Sequence, residues 1–452
     1  MKPSYFVAFA CLLGFAPVSR LLAQSPTQPP PATDAAATPT PSAAPTDPST
    51  KAVPSAGWSN GFFLQSPDKA YQLRITGQIQ SDLRAYGDHN DQKDIDTFLV
   101  RRARLGIEAT VFDYFEFRLL PDFGQGQSRI QDSYLNIHYV DWFQIQAGKF
   151  KEPVSYEELI QDRFVPTLER SLIDQIVPAR DVGVMIHGKK LFDDAFDYAV
   201  GIFNGGTNGD TDTNNGFDGA GRIVARPFNS DAFPETLHGL QIGISGTFGR
   251  EKETTVPSPF RTPGNVPWLQ FNALVVTYGT RTRWTPEVSY FFRSFGCAAQ
   301  FLRLDQEMRP SLASTDIVQV PMEGTYFLAT FLLTGEERTT YSQAVRPLRP
   351  FHPAHPLLTP GAWELVGRVS HLRVDDRIFD ADKTQLANPD NFSARATEMT
   401  LGFNWYLNDW VRVQFNWERS WFGQRINLGA SGGSKVLMNS QDAILTRLQV
   451  IF

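Results

Sequence analysis

Cysteine is nearly absent from this 452-residue chain, which carries only Cys11 and Cys297. Cys11 falls in an N-terminal apolar segment that reads as a cleaved signal. Cys297 is then alone, and an intrachain disulfide is excluded. Long apolar runs are missing too. Past the signal no stretch reaches the roughly 18 residues a membrane-spanning helix needs, and mean hydropathy is −0.26. Two classes remain: an exported soluble protein, or a barrel that crosses a membrane with strands. Barrels escape hydropathy because every second residue is polar. The histidines, His89, His138, His187, His238, His352, His355 and His371, are scattered, with no catalytic motif around them. Good metal patterns are also lacking. Asp210, Asp212 and Asn214 alternate as in a calcium loop, but the glycine comes one position late and no acid closes the loop. His352 and His355 have a loose spacing and no Cys or acid nearby. No enzyme activity, cofactor, metal or nucleic-acid partner is expected.

What is present favours the barrel. Aromatics make up 13% of the chain, and aromatic girdles line both interfaces of such barrels. Lys2 followed by the apolar run Tyr5–Phe15 predicts a signal over residues 1–23, cut after Ala23. Residues 24–56, rich in Pro, Ala and Thr, predict a disordered periplasmic spacer. The barrel domain is expected over 57–452.

The last ten residues alternate. Ile444, Thr446, Leu448, Val450 and Phe452 fall on one side of a strand, Arg447 and Gln449 on the other. An apolar outer face, a polar inner face and a terminal aromatic suit the closing strand of a transmembrane barrel. Phe452 also resembles the C-terminal signal that such proteins present to the barrel-assembly machinery.

The same pattern recurs from about residue 72. Leu73, Ile75, Ile79 and Leu83 share one face, and Arg74, Gln78, Asp82 and Arg84 the other. Leu105 and Ile107 point outward where Arg102, Arg104 and Glu108 point inward. In all, about 16 alternating segments are separated by short and long connections in turn, as short periplasmic turns and longer outer loops would be. The fold class is therefore all-β, a transmembrane antiparallel barrel of about 16 strands. One break in the rule is the long stretch 335–361, which parity places at the periplasmic end.

The stretches Gly148–Pro153, Leu168–Leu172, Pro178–Gly183, Leu333–Glu336, Gly361–Leu365, Gly402–Leu407 and Thr446–Val450 resemble, in order, those of the phosphate-selective porin O and P family of Gram-negative outer membranes. The resemblance implies a 16-stranded outer-membrane barrel, a homotrimer, a third outer loop folded into the lumen, and a basic pore that conducts anions.

In a pore the chemistry is electrostatic. Anion selection needs fixed positive charge facing water in a narrow channel, and arginine suits phosphate because its planar fork makes bidentate hydrogen bonds. Strand parity nominates Arg74, Arg102, Arg104, Arg222, Arg281, Arg283 and Arg368. Lys149 and Lys151 are candidates where a strand meets the long connection 151–180. That connection mixes acids with bases, so a general diffusion pore with a transverse field stays open, as does a structural barrel tethered by its spacer. The expected partners are small anions such as phosphate, and outer-membrane lipid.

Overall fold

The computed structural model describes residues 55–59, 61–87, 96–206, 216–254, 258–381, 384–429 and 435–452, with the backbone alone at 252–254. The signal segment, nearly all of the spacer, His89 and the Asp210–Asn214 pattern lie outside the described residues.

Sixteen antiparallel strands form the wall. They are β1 (Tyr71–Tyr86), β2 (Thr97–Val111), β3 (Phe115–Asp122), β4 (Arg129–Val140), β5 (Phe143–Lys151), β6 (Arg180–Lys190), β7 (Phe196–Phe203) and β8 (Asp218–Ala225) in the first half. The second half has β9 (Leu240–Thr254), β10 (Val276–Phe292), β11 (Phe295–Arg309), β12 (Val318–Leu332), β13 (Ala362–Val374), β14 (Arg395–Tyr406), β15 (Val411–Asn427) and β16 (Leu437–Ile451). Each pairs with its neighbours in sequence. β16 then pairs with β1, from Ala443↔Tyr86 to Ile451↔Gln78, and closes the barrel. Every segment read from the alternation is a strand. The reason is the two-solvent wall: lipid outside and a polar interior inside select apolar and polar residues in strict turn. Leu105, Ile107, Leu401 and Leu448 are exposed on the outer face, while Gln414, Asn416, Arg447 and Gln449 are buried on the inner one.

The seam depends on one glycine. Phe452 N–H donates to Gly77 O at 2.9 Å, and Gly77 N–H donates to Phe452 O at 2.6 Å. A side chain at Gly77 would land on the Phe452 ring. Gly77→Val is therefore expected to cost about 1–3 kcal/mol by overpacking. The check is the temperature at which the folded band is lost on a gel, which should fall. An unchanged transition would mean that the terminal aromatic does not secure the seam.

Trp58 and Trp410 pack edge to face at the turn end, with Phe452 beside Trp58, and Trp363 stacks on Trp405 at 5.2 Å. These match a girdle. Trp268 does not. It is fully buried in a small hairpin, Phe260–Arg261 with Pro267–Leu269, inside the β9–β10 connection.

Two features depart from a plain polar lumen. First, β11–β13 carry large apolar residues on the inner face as well, between polar ones such as Gln300, Glu364 and Arg368. Phe327, Phe331, Leu365 and Val369 face out, and Leu302, Met322, Leu328 and Leu372 are buried inside. Second, the connection 333–361 enters the barrel from the turn end. Arg338 pairs with the fully buried Glu364 of β13. Tyr341, also fully buried, stacks edge-on against Phe291 of β10 at 4.9 Å. The chain then returns to the rim, where Leu357 and Leu358 are exposed.

Candidate permeation pathway

The β5–β6 connection, residues 152–179, lies inside the barrel. Its apolar residues Leu172, Ile173 and Ile176 pack against β12–β14, in one buried cluster with the inner apolar residues of β11–β13. Its backbone is held by polar side chains of β13–β15. Asn404 and Gln414 donate to Pro166 O at 2.9 and 3.1 Å, Asn416 accepts from Leu168 N–H at 2.7 Å, and Arg368 donates to Glu169 O at 2.7 Å. Ser155, at φ +70°, turns the chain into a short helix, Tyr156–Leu159, and its hydroxyl accepts from Glu158 N–H. The loop is thus pinned to β13–β16, and open space remains along β1–β8.

That space forms a file of cavities. At the loop end a cavity of about 210 Å³ is lined by Arg101, Arg102, Asp122, Glu169 and Arg170 among others. It shares Arg104, Asp162 and Arg180 with a second of about 220 Å³. The second shares Lys151, Gln146, Leu159 and Met185 with a third of about 850 Å³, which reaches the turn end between Arg222, Arg226 and residues 337–342. The neck is therefore the group Arg104, Asp162 and Arg180.

Charge is dense here. The first two cavities are lined by nine Arg and Lys side chains and six carboxylates. Asp162 contacts Arg104, Arg102 at 3.6 Å and Arg170 at 2.8 Å. Glu169 contacts Arg101 at 2.7 Å, Arg447 at 2.9 Å, and Arg84 and Arg102 at 3.3 Å. Burial alone would raise both carboxyls. The arginines outweigh it and hold both well below the ordinary range, so both stay ionised. Glu152, at the start of the loop, has no such partner set, and burial pushes it up to about 7.

The family model for phosphate-selective porin O and P matches residues 73–452. The chain belongs to that family. It is an outer-membrane porin. No curated protein matches the chain. Among solved structures, the outer membrane channel DcaP of Acinetobacter baumannii aligns with a TM-score of 0.51 and 11% identity, over 87% of this chain and 99% of that one. The outer-membrane expressed OmpT of Vibrio cholerae aligns with 0.50 and 11%, over 85% and 98%. At such identities both show the fold alone.

The residues nominated from sequence distribute unevenly in this porin. Arg102 and Arg104 stand at the outer cavity and the neck. Lys151 reaches the loop, donating to Ile160 O at 3.0 Å and pairing with Glu158 at 3.3 Å. Arg222 lines the third cavity, paired with Glu287. Arg74 faces inward near Glu108 at 3.9 Å. Arg281, Arg283 and Arg368 line none of these three cavities. Arg281 pairs with Asp218 and Glu251, while Arg283 and Arg368 anchor the loop through Ile176 O and Thr167.

Lys149, though buried, sits apart from these cavities. It stands across from Ser133 and Val182, on the face opposite to Phe150. Directly paired residues share a face of the sheet, and Ser133 is on the outer one. Alternation had to separate Lys149 from the inward Phe150. Lys151 turns inward because the strand ends there.

Arg101 was not legible as a pore residue. The register between β1 and β2 slips between Gln80 and Ser81, pairing Gln80 with Arg102 and Ser81 with Val100. This bulge aims Arg101 inward beside Arg102. Arg129 was also missed, since it sits at a strand start, where parity is silent; Arg163 and Arg180 were visible only as cations of the long connection 151–180.

Proposed function

We propose that this porin is a passive channel with a preference for small anions, phosphate being the nutrient that fits best. The supporting observation is the cationic excess around the neck. Arg163 pairs with no carboxylate among the described residues. It donates to Gln161 at 2.9 Å and lies over the Phe164 ring. A partly neutralised, low-dielectric passage with surplus arginine favours anions and still releases them.

The test is the reversal potential of the purified protein in a planar bilayer under a potassium chloride gradient. The sign expected is that of a chloride-preferring pore, and Arg163→Gln should move it toward zero. Cation preference in the native protein would overturn the reading. It would favour a general diffusion pore, for which the close pairing of arginines with Asp162 and Glu169 is the supporting observation. We also infer a homotrimer, and recognition of the Phe452 strand by the assembly machinery, from the family resemblance. Crosslinking in native membranes tests the first.

A further inference from the structure

The loop carboxylate Glu169 is coordinated by more cation than one carboxylate needs. Four guanidinium groups converge on it, from Arg84 of β1, Arg101 and Arg102 of β2, and Arg447 of β16. A carboxylate offers two oxygens, about four acceptor sites. Arg101 and Arg447 take one oxygen by close hydrogen bonds, at 2.7 and 2.9 Å, and Arg101 also donates to the other at 3.2 Å. Arg84 and Arg102 stand back at 3.3 Å. The Nε groups of Arg84 and Arg102 are buried without a hydrogen-bond partner. Buried, idle guanidinium donors are costly, and that of Arg102 belongs to a side chain lining a cavity of about 210 Å³, together with Arg101 and Glu169 itself.

We propose that Glu169 is a tethered anion occupying a clamp shaped for a tetrahedral oxyanion, and that phosphate binds there by displacing it. This rests on the anion reading above. A phosphate dianion brings twice the charge and four oxygens, enough for the donors that Glu169 leaves idle. The backbone need not move. Glu169 O is held by Arg368 and the Thr167 hydroxyl, at 2.7 Å each, so only the side chain has to swing. Because Glu169 stays ionised, it competes with the solute rather than yielding to mild acid. Competition of this kind lets a strong clamp release its ion, since the carboxylate returns as phosphate leaves.

The experiment titrates inorganic phosphate against the chloride current of single channels, comparing the native protein with Glu169→Gln. Removing the tethered charge should lower the half-blocking phosphate concentration about tenfold, with longer blocked intervals. Asp162→Asn removes an equal charge a short distance away but leaves the clamp occupied, so it should shift the block far less. Equal shifts in the two variants would overturn the proposal in favour of a diffuse field. So would no shift in Glu169→Gln. If that variant does not insert, Glu169→Asp serves. It keeps the charge but shortens the reach, and should still lower the half-blocking concentration. An unchanged value would count against the clamp. Failure of the underlying anion reading would register separately, as cation preference in the reversal potential of the native protein.

Discussion

Deleting residues 339–347 and bridging Arg338 to Leu348 with a short Gly-Ser link is expected to raise single-channel conductance about two-fold or more. These residues stand inside the barrel at the turn end. Tyr341 is fully buried against Phe291, and Val345 packs with Leu332, Ala362 and Tyr406. Across a small cavity the same segment faces Arg163 and Phe164 of the inward loop. Two segments from opposite ends thus fill one half of the lumen, and the open file of cavities follows the other half. The deletion keeps the Arg338–Glu364 pair, so no buried charge is stranded and the barrel should still close. Recordings in potassium chloride read the effect directly. Unchanged conductance would mean that current is limited wholly at Arg104, Asp162 and Arg180, with the segment serving only as filling.

The wall was legible because its physics is local. Lipid on one side and polar contents on the other impose a period of two, and residues such as Leu105 and Arg104 report their faces without help from the rest of the chain. The interior was less legible because its partners are remote. Nothing near Glu169 in sequence announces Arg84 or Arg447. Asn404, Gln414 and Asn416 look like ordinary lumen polar residues until the loop backbone is seen against them. The β11–β13 sector misleads in another way. A strand with apolar residues on both faces reads weakly as a barrel strand, yet its inner face is the docking surface for Leu172 and Ile176. Bulges defeat parity outright, as at Arg101. The inward course of 333–361 had a faint signal, a long connection where short ones were expected, but length alone does not say which way a segment turns.

Arg447→Met tests how far the seam and the inward loop depend on one guanidinium. Arg447 lies on the closing strand, almost fully buried. It grips Asp82 of β1 through both nitrogens at 2.6 and 2.7 Å, Glu169 at 2.9 Å and Leu168 O at 2.5 Å. First strand, last strand and loop therefore meet on this side chain. Methionine approximates its length but leaves Asp82, among the described residues, with only Arg84, at 3.7 Å. Stranding a buried carboxylate costs about 3–5 kcal/mol, so the temperature at which the folded band is lost should fall sharply. The current should also become noisier as the loop loses an anchor. Adding Asp82→Asn removes the stranded charge and should recover much of the lost stability, because the two residues are coupled. If the double variant is as unstable as Arg447→Met, the loss comes from packing at the seam rather than from charge. Arg447 would then be a spacer between strands and not the cation that binds them to the loop.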